Sequence, residues 1–215
     1  MKQYGLIGFP LGHSFSKKYF SNKFSLENID AKYELYPLES ISLFEQLKHN
    51  SELCGLNVTI PYKELVIDFL DEIDETAAQI GAVNVIKFSP VDGKLKLKGY
   101  NSDSIGFENS IKPLLQYYHT KALILGTGGA SKAIDYTLHK LGIETTFVSR
   151  TFKPNTLVYS QLTKDIITNN LLIINASPVG TYPHDSECPD IPYQFLTEKH
   201  LLFDVVYNPT ETQFL

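Results

Sequence analysis

The sequence predicts an α/β protein of two consecutive domains, and three observations carry that expectation. Strand-like and helix-like stretches alternate in both halves, the pattern of parallel or mostly parallel sheets. Midway, the apolar run Ala122-Leu123-Ile124-Leu125 enters a glycine turn, Gly126-Thr127-Gly128-Gly129-Ala130-Ser131-Lys132-Ala133. More than half of the chain precedes that turn, enough for a domain of its own. The expected division is a first domain at 1–102, a linking helix at 103–118 and a second domain at 119–215, with a cleft between the domains.

Element by element, Tyr4 to Phe9 reads as a short buried strand ended by Pro10 and Gly12. Tyr19, Phe20 and Phe24 give Ser16 to Leu26 the spacing of a helix, with Ser16 as its N-cap. Tyr33 to Leu38 alternates like a strand, Leu43, Phe44 and Leu47 mark a helix, and Gly55 to Ile60 is a strand stopped by Pro61. Glu64 to Leu70 and Glu75 to Ile80 read as helical. Asn84 to Phe88, the dipeptide Asp92-Gly93 and Leu95 to Tyr100 read as a hairpin. A helix is expected from Asp103 to Tyr118, then strands at 121–125, 144–149, 171–175 and 201–206. Between Arg150 and Asn175, Pro154 and a weak amphipathic pattern predict a crossover helix that is shortened or lost.

Composition narrows the function classes. With 215 residues, 43% apolar and 20% charged, the chain has the make-up of a globular protein. A formal net charge of −5 argues against nucleic acid or an anionic membrane as partner. Two cysteines make neither a disulfide framework nor a zinc site, and Cys54 is expected as a small buried hydrophobe. Residues 1–10 are too glycine-broken for a secretory signal, and no apolar run approaches the ~20 residues that span a membrane. The expectation is a cytoplasmic protein.

The glycine turn carries the first chemistry. A strand that ends in such a turn and opens a helix presents free backbone N–H groups to a phosphate, and glycines admit the close approach. Ser131 stands where a third glycine or alanine is usual. A ligand-free connection is the alternative, but the turn lies between a strand and a helix, which favours a Rossmann-like cofactor domain. At the end of the next strand an acid would pair with the ribose 2′-hydroxyl of NAD. Arg150, Thr151 and Lys153 stand there instead and suit the extra phosphate of NADP.

A sharper signal lies upstream. Asn57-Val58-Thr59-Ile60-Pro61-Tyr62-Lys63 presents Asn57 and Thr59 on one face and delivers a lysine just past a proline. A lysine exchanges protons near neutrality only if burial or a cationic neighbour pulls it below its reference of about 10.4, and most lysines are simply solvated. Asn84, among small residues, and Asp103, where a strand meets a helix N-terminus, change that balance. Asp103 alone reads as a helix cap; with Lys63 it makes an acid–base pair.

At this point the residues resemble a known family, shikimate dehydrogenase, over essentially the whole chain. The resemblance rests on Gly8-Phe9-Pro10-Leu11-Gly12-His13-Ser14-Phe15-Ser16, on the 57–63 segment, on Gly81-Ala82-Val83-Asn84 and on Asn101-Ser102-Asp103. The glycine turn, Arg150-Thr151, Asn175-Ala176-Ser177 and Asp204-Val205-Val206-Tyr207-Asn208-Pro209 follow in family order. It implies an N-terminal substrate-binding domain, a Rossmann-like NADP-binding domain, and reversible reduction of 3-dehydroshikimate to shikimate in aromatic amino acid biosynthesis.

Carried over residue by residue, it gives Ser14 and Ser16 the substrate carboxylate, and Thr59, Asn84 and Asp103 the ring hydroxyls. Lys63 passes the proton with Asp103 beside it, and Tyr207 lies near the substrate. Gly126, Thr127, Gly128, Gly129, Ala130, Ser149, Arg150, Thr151 and Lys153 bind NADP, Val205 lies against the nicotinamide, and Glu75 is a weaker contact. His13 is read as structural, and Asn175 to Ser177 as the turn beneath the nicotinamide. No metal is implied, and the assembly is expected to be a monomer or homodimer. The chain stops at Thr210-Glu211-Thr212-Gln213-Phe214-Leu215, where family members continue, so the resemblance implies a fragment or a chain without that tail. Two rivals are an NAD-dependent quinate/shikimate dehydrogenase and a ligand-binding protein on the same scaffold.

Overall fold

A computed structural model describes residues 1–12 and 14–215; His13 lies outside the described residues. The chain forms two compact units, Met1–Ser102 and Asp103–Leu215, each built on its own sheet.

In the first unit β1 (Lys2–Gly8) leads through α1 (Phe15–Leu26) to β2 (Ala31–Pro37), which pairs parallel to β1. A 3₁₀ turn at Ile41–Leu43 and α2 (Phe44–Lys48) lead to β3 (Leu53–Val58), parallel to β1 on its other side. A 3₁₀ helix at Leu65–Phe69, the two-residue strand β4 (Glu72–Ile73) and α3 (Glu75–Ile80) precede the hairpin of β5 (Val85–Val91) and β6 (Lys94–Tyr100). The strand order is β2-β1-β3-β5-β6-β4. β5 runs antiparallel to β3 and β6, and the remaining pairings, β1–β2, β1–β3 and β4–β6, are parallel. Asp92 and Gly93 both take positive φ, 51° and 75°, the requirement of a tight two-residue hairpin turn.

The two faces of this sheet bury different sets. Ile7, Leu56, Val58 and Ile86 pack with Phe44 and Val66 on one face. Leu6, Leu11 and Tyr33 lie under Phe20 and Phe24 of α1 on the other. Two expectations shift here. The cap of α1 is Ser14, with extended backbone (φ −66°, ψ 118°), and Ser16 is the helix's second residue. Cys54 is half-buried and borders a recess of about 300 Å³ that Tyr4, Phe20 and Gly55 also line.

The second unit opens with α4 (Asp103–Ile111), a 3₁₀ turn at Lys112–Leu114, β7 (Lys121–Leu125), α5 (Gly129–Lys140) and β8 (Glu144–Ser149). It continues through β9 (Thr156–Val158), α6 (Lys164–Asn169), β10 (Leu172–Asn175) and β11 (Leu201–Asp204). The sheet is parallel throughout, in the order β11-β10-β7-β8-β9. Its central strands are apolar on both faces: Ala122, Ile124 and Ile174 pack with Phe107, Ile111 and Leu138, while Leu123, Leu125 and Ile173 pack with Leu162, Ile167 and Phe214.

The helix expected to run to Tyr118 ends at Ile111. Pro113 has no N–H to continue the ladder and disfavours helical backbone at Lys112, so the chain tightens into a 3₁₀ turn and leaves Tyr117 93% exposed. The crossover helix before β10 survives as the six-residue α6, capped by Thr163.

Candidate active site

The order of the second sheet reverses between β7 and β10, both of which end at the same side of a parallel sheet. Ligands of open α/β sheets bind at such a switch point, outside the carboxyl ends of the strands. The glycine turn follows β7 at that point. Gly126 takes φ +124°, and a Cβ there would fall 2.9 Å from the Ala176 carbonyl oxygen just beyond β10, so only glycine fits. Gly128 is the N-cap of α5, with open space where its side chain would be. Gly129 and Ala130 are the first two residues of that helix, and their N–H groups have no partner one turn back. Ser131 is fully buried and its hydroxyl has no hydrogen-bond partner among the described residues. An open cradle of backbone donors above an unsatisfied hydroxyl fits a dinucleotide phosphate.

The basic segment after β8 reaches this turn. Nζ of Lys153 donates to Oγ1 of Thr127 at 2.8 Å, so two expected cofactor residues stand together. Ser149 closes β8 with its Oγ accepting from Thr151 N at 3.4 Å, which shapes the bend around the exposed Arg150. Burial pushes the Tyr159 phenol up, and the Arg150 charge offsets part of that rise.

At the end of β10, Asn175 is fully buried. Its Oδ1 accepts from Ser177 N and Oγ, and its Nδ2 donates to the Val179 carbonyl and to Asp204 Oδ1. Asp204 also accepts from Val206 N at 2.9 Å and from Thr212 Oγ1 at 2.6 Å. This knot holds half-buried Val205, whose N–H donates to the Asn175 carbonyl, while Tyr207 beyond it is 69% exposed.

In the first unit the expected substrate residues gather at the carboxyl ends of β1 and β3 and the start of α1. Ser14 Oγ is buried and makes no cap bond, and among the described residues it has no hydrogen-bond partner. Thr59, just past β3, is tied to β1 through its N–H on the Ile7 carbonyl, 2.9 Å, with its methyl where a Gly8 side chain would be. Lys63 is half-buried, its carbonyl accepting from Val83 N at 2.7 Å, which fixes the lysine's backbone against the segment that carries Asn84.

Asn84 is 8% exposed and clamped at both ends of its amide, since Oδ1 accepts from Ser102 N at 2.8 Å and Nδ2 lies 3.0 Å from Ser102 Oγ. Asn101, also buried, donates to the Ala82 carbonyl. Half-buried Asp103 is the first residue of α4, in the field of that helix's N-terminus, and belongs to the second unit. Glu75 opens α3 as an exposed residue.

Residue patterns alone missed several groups here. The Ser102 clamp, the buried Tyr33 hydroxyl and the Asp204–Thr212 bond join positions far apart in sequence or inside a turn. Only the Asn-variable-Asp spacing at 101–103 hinted at the first of them.

The chain's likenesses agree with this geometry. The family model described as the shikimate dehydrogenase substrate binding domain matches residues 6–86. A shikimate dehydrogenase (NADP(+)) of Methanosphaera stadtmanae is 39% identical over 98% of this chain and 80% of its own length. The enzyme of that name from Bacillus cereus is 34% identical over 100% of this chain and 83% of its own. Among solved structures, shikimate dehydrogenase from Aquifex aeolicus superposes with a TM-score of 0.84 at 33% identity, covering 100% of this chain and 82% of the other. The Thermus thermophilus enzyme, in complex with NADP(H) and shikimate, does so with a TM-score of 0.81 at 28% identity, covering 97% and 80%. This chain therefore belongs to the shikimate dehydrogenase family.

Proposed function

We propose that the chain catalyses the reversible, NADPH-dependent reduction of 3-dehydroshikimate to shikimate in aromatic amino acid biosynthesis. The observation that carries this reading is the 39% identity over 98% of the chain to an enzyme named for that reaction and cofactor. Bound NADPH supplies the hydride; position, anion binding and the proton path fall to the protein.

Each role rests on chemistry the residues already have. The Ser14 hydroxyl, without a partner among the described residues, and Ser16 hold the substrate carboxylate, and a buried donor of that kind gains a charge-assisted hydrogen bond when the anion arrives. Thr59, Asn84 and Asp103 hold the ring hydroxyls. With its amide fixed by Ser102, Asn84 presents one orientation to the ring. Lys63 gives a proton to the carbonyl oxygen as that carbon is reduced and takes it back in the oxidative direction, and Asp103 is the second acid–base group of this reading.

Gly126 to Ala130 cradle the pyrophosphate. Arg150, Thr151, Lys153 and Ser149 surround the 2′-phosphate, and Val205 lines the nicotinamide side. Arg150, where an acid would stand in an NAD enzyme, favours NADP over the NAD-dependent rival. The test is shikimate-dependent formation of NADPH by the purified protein, followed by absorbance. Reduction of NADP with shikimate but not without it is the expected result; binding of shikimate and NADP with no reduction would instead support the ligand-binding rival.

A further inference from the structure

Asn84 is held at each of its polar atoms by the chain around it. Its N–H donates to the Tyr100 carbonyl at 3.0 Å, and its carbonyl accepts from Val58 N at 2.8 Å. Asn101 Nδ2 donates to the Ala82 carbonyl at 2.9 Å, so residues 100–102 are strapped along residues 82–84. Ser102 closes the strap on the Asn84 side chain. Its N–H lies 2.8 Å from Oδ1, and its Oγ lies 3.2 Å from Oδ1 and 3.0 Å from Nδ2. A backbone N–H can only donate, so the amide atom that faces it is the oxygen; a flipped amide would set one N–H against another.

We propose that Ser102 is a positioning residue for substrate binding: by engaging the Asn84 oxygen it makes that amide a hydrogen-bond donor, through Nδ2, to a ring hydroxyl. An amide by itself is ambivalent, able to offer either end to a hydroxyl; with its oxygen engaged it offers one. A hydroxyl that accepts from Nδ2 keeps its own proton for a carboxylate, the part that falls to Asp103, so the hydrogen bonds at that ring oxygen run in one direction. A carbonyl or ether oxygen in the same place would satisfy the amide and leave the carboxylate facing a lone pair, which selects for a hydroxyl. The orientation is set before the substrate arrives, which lowers the ordering cost of binding.

The inference rests on the reading of Asn84 as a ligand of a ring hydroxyl, and the two fail differently. If Asn84→Ala leaves the KM for shikimate unchanged, that reading falls and the proposal with it. The proposal alone is tested by Ser102→Ala, which deletes Oγ and leaves the amide on the single bond from the backbone N–H, beside Ser102→Thr, which keeps both groups.

In Ser102→Ala the expected result is a KM for shikimate raised about three- to tenfold, the weight of one hydrogen bond, with kcat within about threefold and the KM for NADP unchanged. Ser102→Thr should restore the KM to within about twofold of wild type, and Ser102→Ala placed on top of Asn84→Ala should add nothing. A KM that stays at the wild-type value in Ser102→Ala, a loss confined to kcat, no rescue by threonine, or an undiminished effect in the double variant would overturn the proposal. Should Ser102→Ala lose its cooperative thermal transition, Asn84→Asp answers instead. With one carboxylate oxygen on the Ser102 N–H, the other stands where Nδ2 was and has no proton to give. A KM raised at least as far as in Asn84→Ala is then expected; a smaller rise overturns the proposal, because an acceptor facing the ring would have served.

Discussion

Nζ of Lys153 lies 2.8 Å from Oγ1 of Thr127, so a cation carried past the end of β8 reaches back over the glycine turn that follows β7. Positive charge is thereby gathered on the turn itself, while Arg150 remains exposed at the bend where a 2′-phosphate is expected.

Arg150→Asp should therefore reverse cofactor preference. The guanidinium's bonds to the phosphate are lost and a carboxylate repels it, whereas the same carboxylate accepts from a free 2′-hydroxyl. NADP affinity should fall about 100-fold, roughly 2.7 kcal/mol, with NAD affinity changing less than about threefold. Titration with both cofactors checks it, and equal losses would point to a folding defect.

Lys63→Ala should nearly abolish turnover while shikimate still binds within about tenfold, or 1.4 kcal/mol. The lysine acts on the proton in flight, whereas the serines and Asn84 carry ground-state binding. Steady-state rates beside equilibrium binding separate the two; a rate loss under about tenfold would remove the acid–base role.

Gly126→Ala places a methyl where the Ala176 backbone already stands and forces an L-residue to φ +124°. A loss of about 1–3 kcal/mol in stability is expected from the backbone conformation alone, with a larger loss in NADP affinity as the turn shifts. Thermal unfolding with and without NADP measures both. Gly128→Ala, which enters open space, should be milder in stability.

Removing Asp204 strands three donors at once: Asn175 Nδ2, the Val206 N–H and the Thr212 hydroxyl. Asp204→Ala should cost about 2–4 kcal/mol, because each orphaned donor forfeits a charge-assisted bond. Thr212→Val, which breaks one of the three, should cost less than half as much. Denaturant unfolding of the pair distinguishes a shared knot from independent contacts.

Alkali offers a test of the buried phenol. Tyr33 is raised from 10.0 to about 12 by burial, so between those values the unfolded chain releases a proton that the folded chain keeps. Stability is unaffected below pH 10 and falls as pH rises through that window. Tyr33→Phe should show a shallower fall over the same range, read from denaturant midpoints at a series of pH values. An identical slope would mean the other buried tyrosines account for all of it.

Much of this was legible in the residues, and the reasons differ by element. Ala122 to Leu125 form a strand buried on both faces, so an unbroken apolar run between a lysine and a glycine located β7 without help from the rest of the fold. Asp92-Gly93 located the hairpin because few dipeptides tolerate positive φ twice in succession. Helix α4 was over-extended because Leu114, Leu115 and Tyr118 keep an apolar spacing that Pro113 interrupts. The strands β4 and β9, of two and three residues, are too short to show a period.

In the site, the residues that would meet ligands stood out by type and spacing. Their supports did not. Tyr33 in β2 looks like any apolar strand residue until a bond to Asn57, 24 positions away, is seen. By type and spacing Ser102 is only the variable residue between Asn101 and Asp103, whereas it grips Asn84 on the other side of the hairpin.

The shortest strand has a reach beyond its length. β6 would otherwise end its sheet with a free row of backbone donors and acceptors, the kind of margin on which a second chain can nucleate. β4 covers that row at Lys98 and Gly99, and Glu72 within it meets the Lys96 ammonium at 2.5 Å and that of Lys98 at 3.8 Å. Asp71 then accepts the Leu97 N–H through its side chain. A visiting strand would have to break a charged lattice and expel β4 before finding a hydrogen bond, so this margin discourages fibre-like self-association during folding and at high concentration.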